Sequence, residues 1–591
     1  MTEETQNDSN LILMTLAKLN AMNFYDKALI GIIIIFAIIQ IYLFSQLVHI
    51  ASPVYGGDLY RERGFIQYIL NGNKYWTDPY FQGELEFYPP LGYLLGAFIV
   101  KITGLSVDSV INFFPIAITA ALTISFYALG NAIFKRKDLA FILALIAMMQ
   151  NLFPVKHTYG LSVIFAVLFL AQFFKLETDS SNKTKIKTGI FLGAAALSHY
   201  QPFLYTSVMT GITILLETAY RIKTQKTPIK TIKETVNKYF LTFFVAILIA
   251  MIFFAPLIVK YQMKTPNRTQ EYSQFDTNKN GFGWLASTIA NQFIQTTSIP
   301  QFLLGIIAIG GVLFCVLNTN KIEQRYTLFL LIGMIISGGH YLITKPLLNA
   351  WIVPSHMLAG LFIPIAIIIT WGTKFFSAIT EKKIHCKGKY FTLVFILLVI
   401  LPISNSYVTN YNNDRWTQYG RQMDPSTQAL YDFGNWALSA TTKDEVFLAN
   451  DESAFAISAL SARHVVAVRR THASPYADVD KRYADAIVML YGNNFATTKE
   501  LLRKYFVKYI FFDQYLLTQP MITSTKHADY LKQNGVNFSV QNVRLDPAGV
   551  DTPVYESIVV MPQELKIVNI TTPIKQFNAG TTPFAIIYKT Q

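Results

Sequence analysis

Charge is scarce in this sequence. Asp, Glu, Lys and Arg make up 15% of its 591 residues, against roughly 25% in a soluble domain. Cysteine is almost absent: Cys315 sits in an apolar run and Cys386 in a basic loop, so no disulfide framework can form. Also missing are G-x-x-x-x-G-K-[ST], a G-x-G-x-x-G following a strand, H-E-x-x-H and C-x-x-C, which removes the phosphate-loop, dinucleotide, zinc-protease and dithiol classes those motifs serve. What the chain has instead is hydrophobic residues, 52% of the total, gathered in long runs. Ala28 to Val48 holds no charge over 21 residues, enough to cross about 30 Å of hydrocarbon. Ten further runs of similar character exclude both a wholly soluble enzyme and a single-anchor protein. The acidic N-terminus, with no small-residue cleavage site after the first run, predicts a retained membrane helix rather than a signal peptide.

The formal net charge is +14. Residues 410–591 hold 18 basic and 17 acidic side chains, whereas loops 134–138, 175–187, 217–238, 318–325 and 373–390 hold 20 basic and 7 acidic. A nucleic-acid partner would need a basic patch on a folded domain; basic loops between apolar runs are the positive-inside signature of a cytoplasmic surface. Placing all five inside requires Pro89 to Gly104 to be an outer interfacial helix. It leaves 11 spans, at about 28–50, 110–133, 139–155, 159–175, 187–198, 201–217, 239–259, 298–317, 326–343, 357–373 and 390–408. The expectation is a multi-pass cell-membrane protein, mainly α, with residues 1–27 cytoplasmic and everything after about 409 extracytoplasmic.

After Ser406 the hydropathy changes. V-F-L-A-N (446–450), H-V-V-A-V (464–468) and V-K-Y-I-F-F (507–512) read as short buried strands, and 452–460, 480–490 and 498–505 between them have helical spacing. Alternation of this kind predicts an α/β layer with parallel strands over 410–540. A β-rich part over 541–591 would follow, with strands at 554–561, 565–570 and 584–588.

The most informative stretch follows the first run: G-G-D-L-Y-R-E-R-G-F (56–65), N-K-Y-W-T-D-P-Y (73–80) and E-L-E-F-Y-P-P-L-G-Y (84–93). Asp58 falls at the outer interface. Leu59 to Leu70 fits an amphipathic interfacial helix, with Phe65, Ile66 and Ile69 toward lipid and Arg61, Glu62 and Arg63 toward polar surroundings. A carboxylate at that depth can activate a hydroxyl or bind a metal, and two arginines can hold a phosphate. Alternatively, Asp58 only caps the helix and the arginines meet lipid headgroups.

An Asp just past the first span, an aromatic-rich loop, Y-P-P-L-G (88–92) and a basic first cytoplasmic loop resemble the GT-C glycosyltransferase superfamily, in its archaeal or bacterial forms. Protein O-mannosyltransferases, aminoarabinose transferases and oligosaccharyltransferases belong to it. The layout of 28–409 fits, and residues 50–95 are the specific part. The resemblance implies a GT-C-like transmembrane domain over 28–409, with outer loop 51–109 carrying interfacial helices. It also implies that Asp58 is the catalytic base or a metal-binding acid, which leaves a divalent ion (Mg or Mn) open as a cofactor. Residues 436–451, 462–467 and 501–512 look like the start of the oligosaccharyltransferase soluble domain. However, L-A-N-D-E-S-A (448–454) stands where that family has W-W-D-x-G, and P-V-K-H-T-Y (154–159) carries no acid in the second outer loop. Both departures point away from N-linked oligosaccharide transfer and toward a monosaccharide-transferring relative.

Further candidates gather at the outer ends of the runs. Lys156 and His157 fall near where Asp58 should project, and His199 at an outer turn can line the same cavity. Arg268, in the long outer loop 260–272, is a phosphate candidate. His356 and Trp351 are weaker, and Asp78, Glu84 and Glu86 are alternative acid partners for Asp58. In 463–482, Arg469, Arg470, His472, Asp478 and Asp480 concentrate in a loop that can face the membrane cavity. The expected activity is hexosyl or pentosyl transfer from a polyprenyl- or dolichyl-phosphate donor to a protein, lipid or glycan acceptor. Asp58 would be the base, with Arg61, Arg63, Lys156, His157, His199 and Arg268 binding substrate. The rival classes are a transporter or flippase of lipid-linked sugars and a non-catalytic GT-C-fold subunit.

Overall fold

The computed structural model describes residues 22–150, 156–262, 266, 281–293, 299–348, 354–384, 408–409, 411–544 and 554–590. Each of the first ten expected spans carries a helix: Phe24–Phe44, Val107–Phe134, Lys137–Gln150, His157–Lys175, Asn182–Ser198, Tyr200–Gln225, Pro228–Tyr261, Ile299–Leu317, Ile322–Gly339 and Phe362–Ile384. Expected span 390–408 lies almost wholly outside the described residues. Polar caps start several of these helices, Asn23 accepting from the Asp26 amide and Ser106 from the Ser109 amide.

Among the described residues, six helical stretches are long and apolar enough to cross a membrane: Phe24–Phe44, Val107–Phe134, His157–Lys175, Pro228–Tyr261, Ile322–Thr344 and Pro354–Lys382. That is fewer than the eleven expected. Asn182–Ser198 falls short because it has 17 residues, three of them lysines in its first turns. Tyr200–Gln225 is diluted by Thr206, Thr210, Thr213 and Glu217, all buried against neighbouring helices rather than in lipid.

Residues Leu91–Thr103 form the short helix expected on the outer side, entered from Pro90 and closed by Gly104. The Asp58–Leu70 helix also forms, but its surroundings differ from the expectation. Phe65 and Ile66 do not face lipid. They are buried with Tyr60, Tyr80, Phe81 and Tyr93 in one hydrophobic cluster that also contains Phe433, Phe447, Phe455 and Ile487 of the C-terminal part. Amphipathic spacing tells which face is apolar and leaves open what covers it. Gly64 permits the contact, since a Cβ there would lie 3.0 Å from Ala459 Cα and 3.1 Å from Ser458 O.

The C-terminal part is α/β. Strands β1 (Val446–Leu448), β2 (His464–Val465) and β3 (Val507–Asp513) pair in parallel in the order β2-β1-β3, with helices Asp451–Ser461, Val479–Tyr491 and Phe495–Lys504 between them. A hairpin of β7 (Thr571–Ala579) and β8 (Thr582–Thr590) completes this sheet, β8 running antiparallel to β3. Strands on both sides of the expected 540/541 boundary therefore share one sheet. A second, antiparallel sheet has the order β4-β6-β5, from Met521–Ser524, Val554–Val560 and Ser539–Arg544. The strand expected at 565–570 is instead a 3-10 turn, Lys566–Ile570, leading into β7.

Candidate active site

Asp58 is the first residue of its helix, entered through Gly56 and Gly57. Gly56 has φ +96° and the Arg469 guanidinium occupies the place of a Cβ, 1.6 Å from where one would be. Only glycine fits there. The helix N-terminus favours a carboxylate, yet the Asp58 side chain is not spent on a cap. Its Oδ2 lies 3.0 Å from Lys156 Nζ and its Oδ1 lies 3.4 Å from His472 Nε2. Burial alone would raise the Asp58 carboxyl. His472 and Lys156 more than offset it and hold the group well below the usual carboxylate range. His472 moves the other way, below the ordinary imidazole value, because its burial outweighs the attraction of Asp58. A neutral ring fits the network, Nδ1 lying 3.2 Å from Thr471 Oγ1 while Nε2 donates to Asp58. The Asp58 side chain is 31% exposed, so a substrate can reach it.

Lys156 is placed by a residue the sequence reading gave only a solvated role. Glu62 stands one turn after Asp58 on the same helix face and is fully buried. It accepts from the backbone amides of His157 and Thr158, each at 3.1 Å, and from Thr158 Oγ1 at 2.8 Å, and it meets His157 Nδ1 at 3.0 Å. Lys156, the N-cap residue of His157–Lys175, makes no side-chain cap bond; Glu62 caps that helix from outside. Asp58 and Glu62, four residues apart, thus meet Lys156 and His157 as a ladder. The i,i+4 spacing was the available signal.

Arg61 and Arg63, expected to bind substrate, are engaged within the protein. Both are buried. Arg61 donates to Glu86 Oε1 at 2.9 Å and Tyr93 Oη at 3.0 Å and lies over the Tyr88 ring. Arg63 pairs with Asp108 at 2.6 Å and donates to the Ala459 and Leu460 carbonyls. They tie the first outer loop to itself and to the C-terminal part. His157, equally buried, is held by Glu62, and its Nε2 has no hydrogen-bond partner among the described residues. His199 caps Tyr200–Gln225 through Nδ1, its Nε2 without a partner among the described residues and its ring among Tyr88, Tyr159 and Tyr200. Tyr88 links it to the acid, since Lys156 Nζ is 5.7 Å from the Tyr88 centroid. Arg268 and Trp351 lie outside the described residues; His356 is described, and its carbonyl accepts from Gln201. Glu84 faces Lys260 and Tyr261, Asp78 accepts from the Tyr80 and Phe81 amides, and Glu86 takes Arg61. None of these three partners Asp58.

An apolar cavity of about 440 Å³ adjoins this cluster, lined by Phe44, Leu47, Leu59, Ile111, Trp416 and His157 among others. Among the described residues no group of three His, Cys, Asp or Glu side chains is gathered to hold a metal. Were a hard divalent ion to bind together with a substrate phosphate, Asp58 would be the side chain to hold it.

No protein-family model and no curated protein matches the chain. Solved structures do. The oligosaccharyltransferase AglB of Archaeoglobus fulgidus, solved with an inhibitory peptide and a dolichol-phosphate, gives a TM-score of 0.49 at 14% identity, covering 94% of this chain and 80% of that one. ArnT of Cupriavidus metallidurans, in the apo state, gives 0.49 at 10% identity, covering 91% and 98%. The mycobacterial arabinofuranosyltransferase AftD gives 0.46 at 11%, covering 94% and 41%. At that distance the residues around Asp58, rather than these structures, bear on function.

Proposed function

We propose that this chain is a membrane glycosyltransferase that moves a sugar from a polyprenyl- or dolichyl-phosphate donor to an acceptor on the extracytoplasmic face. The observation that carries the reading is the accessible Asp58 carboxylate held between Lys156 and His472 beside an apolar cavity. The donor's lipid chain enters that cavity and its phosphate engages Lys156. An approaching phosphate competes with Asp58 for the ammonium group, and the released carboxylate, still partly buried, becomes a stronger base. It takes the proton of the acceptor hydroxyl as the acceptor oxygen bonds to the anomeric carbon. The bond from that carbon to the phosphate oxygen breaks, and the leaving polyprenyl phosphate stays on Lys156. His472 orients Asp58, and His199 contacts the sugar.

The test is transfer from a panel of radiolabelled polyprenyl-phosphate sugars in proteoliposomes, comparing wild type with Asp58→Asn. Transfer in the wild type and loss of at least about 100-fold in the variant, at unchanged melting temperature, is expected for a lost base. Undiminished transfer by Asp58→Asn would overturn the assignment of the base. Lipid-linked sugar crossing the bilayer with no transfer from any donor would move the chain to the flippase class.

A further inference from the structure

The far ends of the membrane helices carry a second site, unrelated to Asp58. Tyr200 and Tyr261 lie near the first outer loop, against Tyr88 and Glu84. At the opposite ends of their helices, Tyr200–Gln225 and Pro228–Tyr261 form a hairpin whose connecting turn passes through Lys226 in the left-handed region. Along the hairpin runs an apolar groove of about 750 Å³, walled by Leu215, Ile232, Val236, Phe240, Phe244 and Ile247, every one of them exposed. It is continuous with a polar cavity of about 500 Å³ toward the turn, because Ile214, Thr218, Thr235 and Tyr239 line both.

The polar cavity has a built floor. Arg325 forks onto the buried Glu217 at 2.6 and 2.8 Å. Glu177 accepts from Tyr239 at 2.9 Å and Tyr326 at 2.6 Å and pairs with Lys238 at 2.5 Å. Both carboxylates are therefore neutralised within the wall. Arg221 also lines the cavity, and its partner Glu234 belongs to the exposed face of the hairpin. Segment 217–238 holds six basic and two acidic side chains, and Lys223, Lys226, Lys230 and Lys233 are exposed around the turn, so the hairpin end that bears the cavity is net positive.

An exposed apolar groove on a membrane-length helix that ends in a hydrogen-bonding cavity at a net positive turn fits one chemistry. We propose that this composite site binds a single membrane phospholipid with an anionic headgroup, its acyl chains along the hairpin groove and its phosphate at Arg221, in exchange for Glu234, beside the exposed lysines of the turn. A neutral zwitterionic lipid would gain the groove without the charge.

The experiment is native mass spectrometry of the full chain in detergent, titrated with phosphatidylglycerol or phosphatidylcholine. Wild type should bind one phosphatidylglycerol, about tenfold more tightly than phosphatidylcholine. Ala219→Trp, which fills the groove from an exposed position and touches no charge, should weaken both lipids. Arg221→Glu should weaken phosphatidylglycerol alone, by about tenfold, the order expected when one basic side chain at a lipid surface is reversed. Equal affinity of the wild type for the two lipids, or unchanged binding in either variant, would overturn the site. Displacement by glycerol phosphate as effective as by the whole lipid would also overturn it, since the groove would then add nothing.

Discussion

At Asp58 two effects oppose each other, and their balance sets the protonation of the site. Burial raises the carboxyl, while His472 and Lys156 lower it by more, so the resting site keeps an anion through the physiological range. Removing the ammonium leaves burial less opposed. Lys156→Met should shift the acidic limb of the transfer–pH profile upward, with transfer lost at a higher pH than in the wild type. It should also raise the donor KM by about 10- to 100-fold, the worth of one hydrogen bond to a charged group; an unchanged donor KM would take Lys156 out of phosphate binding. Glu86 behaves in the reverse sense. Burial, partly opposed by Arg61 and reinforced by Asp78, pushes it up to about 8. The folded chain then holds a proton that the unfolded chain releases near about 4.3, so Glu86 costs stability as pH rises from there to about 8. Glu86→Gln should reduce that decline, read as melting temperature across pH 5 to 8, and an identical slope would mean Glu86 titrates normally.

The elements carry these residues to one place by unequal routes. Helix positions were legible because period and apolar length are properties of a few consecutive residues. The alternation of β1, β2 and β3 with helices was legible for the same reason. Pairings across long sequence distance were not. Nothing local in Asp58–Leu70 says that Glu62 reaches the start of His157–Lys175, and two buried arginines read from sequence as free cations because their partners, Glu86 and Asp108, sit on other elements. The Glu62 cap makes a prediction at this scale. Glu62→Ala would leave the amides of His157 and Thr158 and the buried His157 ring without a partner, costing roughly 2–4 kcal/mol and displacing Lys156. A drop in both melting temperature and transfer is expected, with Glu62→Gln recovering part of the stability. If Glu62→Ala melted like wild type, the helix would be capped by something else.

Over the whole molecule, the membrane and α/β parts are joined through a shared core rather than a hinge. Tyr60, Phe65, Phe447 and Phe455 belong to one cluster, and the Asp58–Leu70 helix packs closely on Asp451–Ser461 at Gly64. Gly64→Val would force these helices apart at a cost of roughly 1–3 kcal/mol. The expected readouts are weaker transfer, since His472 follows that helix in the chain, and faster protease cleavage between the two parts. Cleavage at the wild-type rate would mean the contact is dispensable. The same packing has a consequence for biosynthesis. Arg63 and its acceptor at Ala459 are 396 residues apart, so at about 5–20 residues per second the ribosome delivers the partner helix roughly 20–80 s after the first one emerges. Through that interval the apolar side of Asp58–Leu70 has no α/β domain to cover it, and the nearest apolar phase is the bilayer surface. The lipid-facing arrangement that its amphipathic sequence spells out is thus the one open to the nascent chain, before the α/β part exists to cover that side.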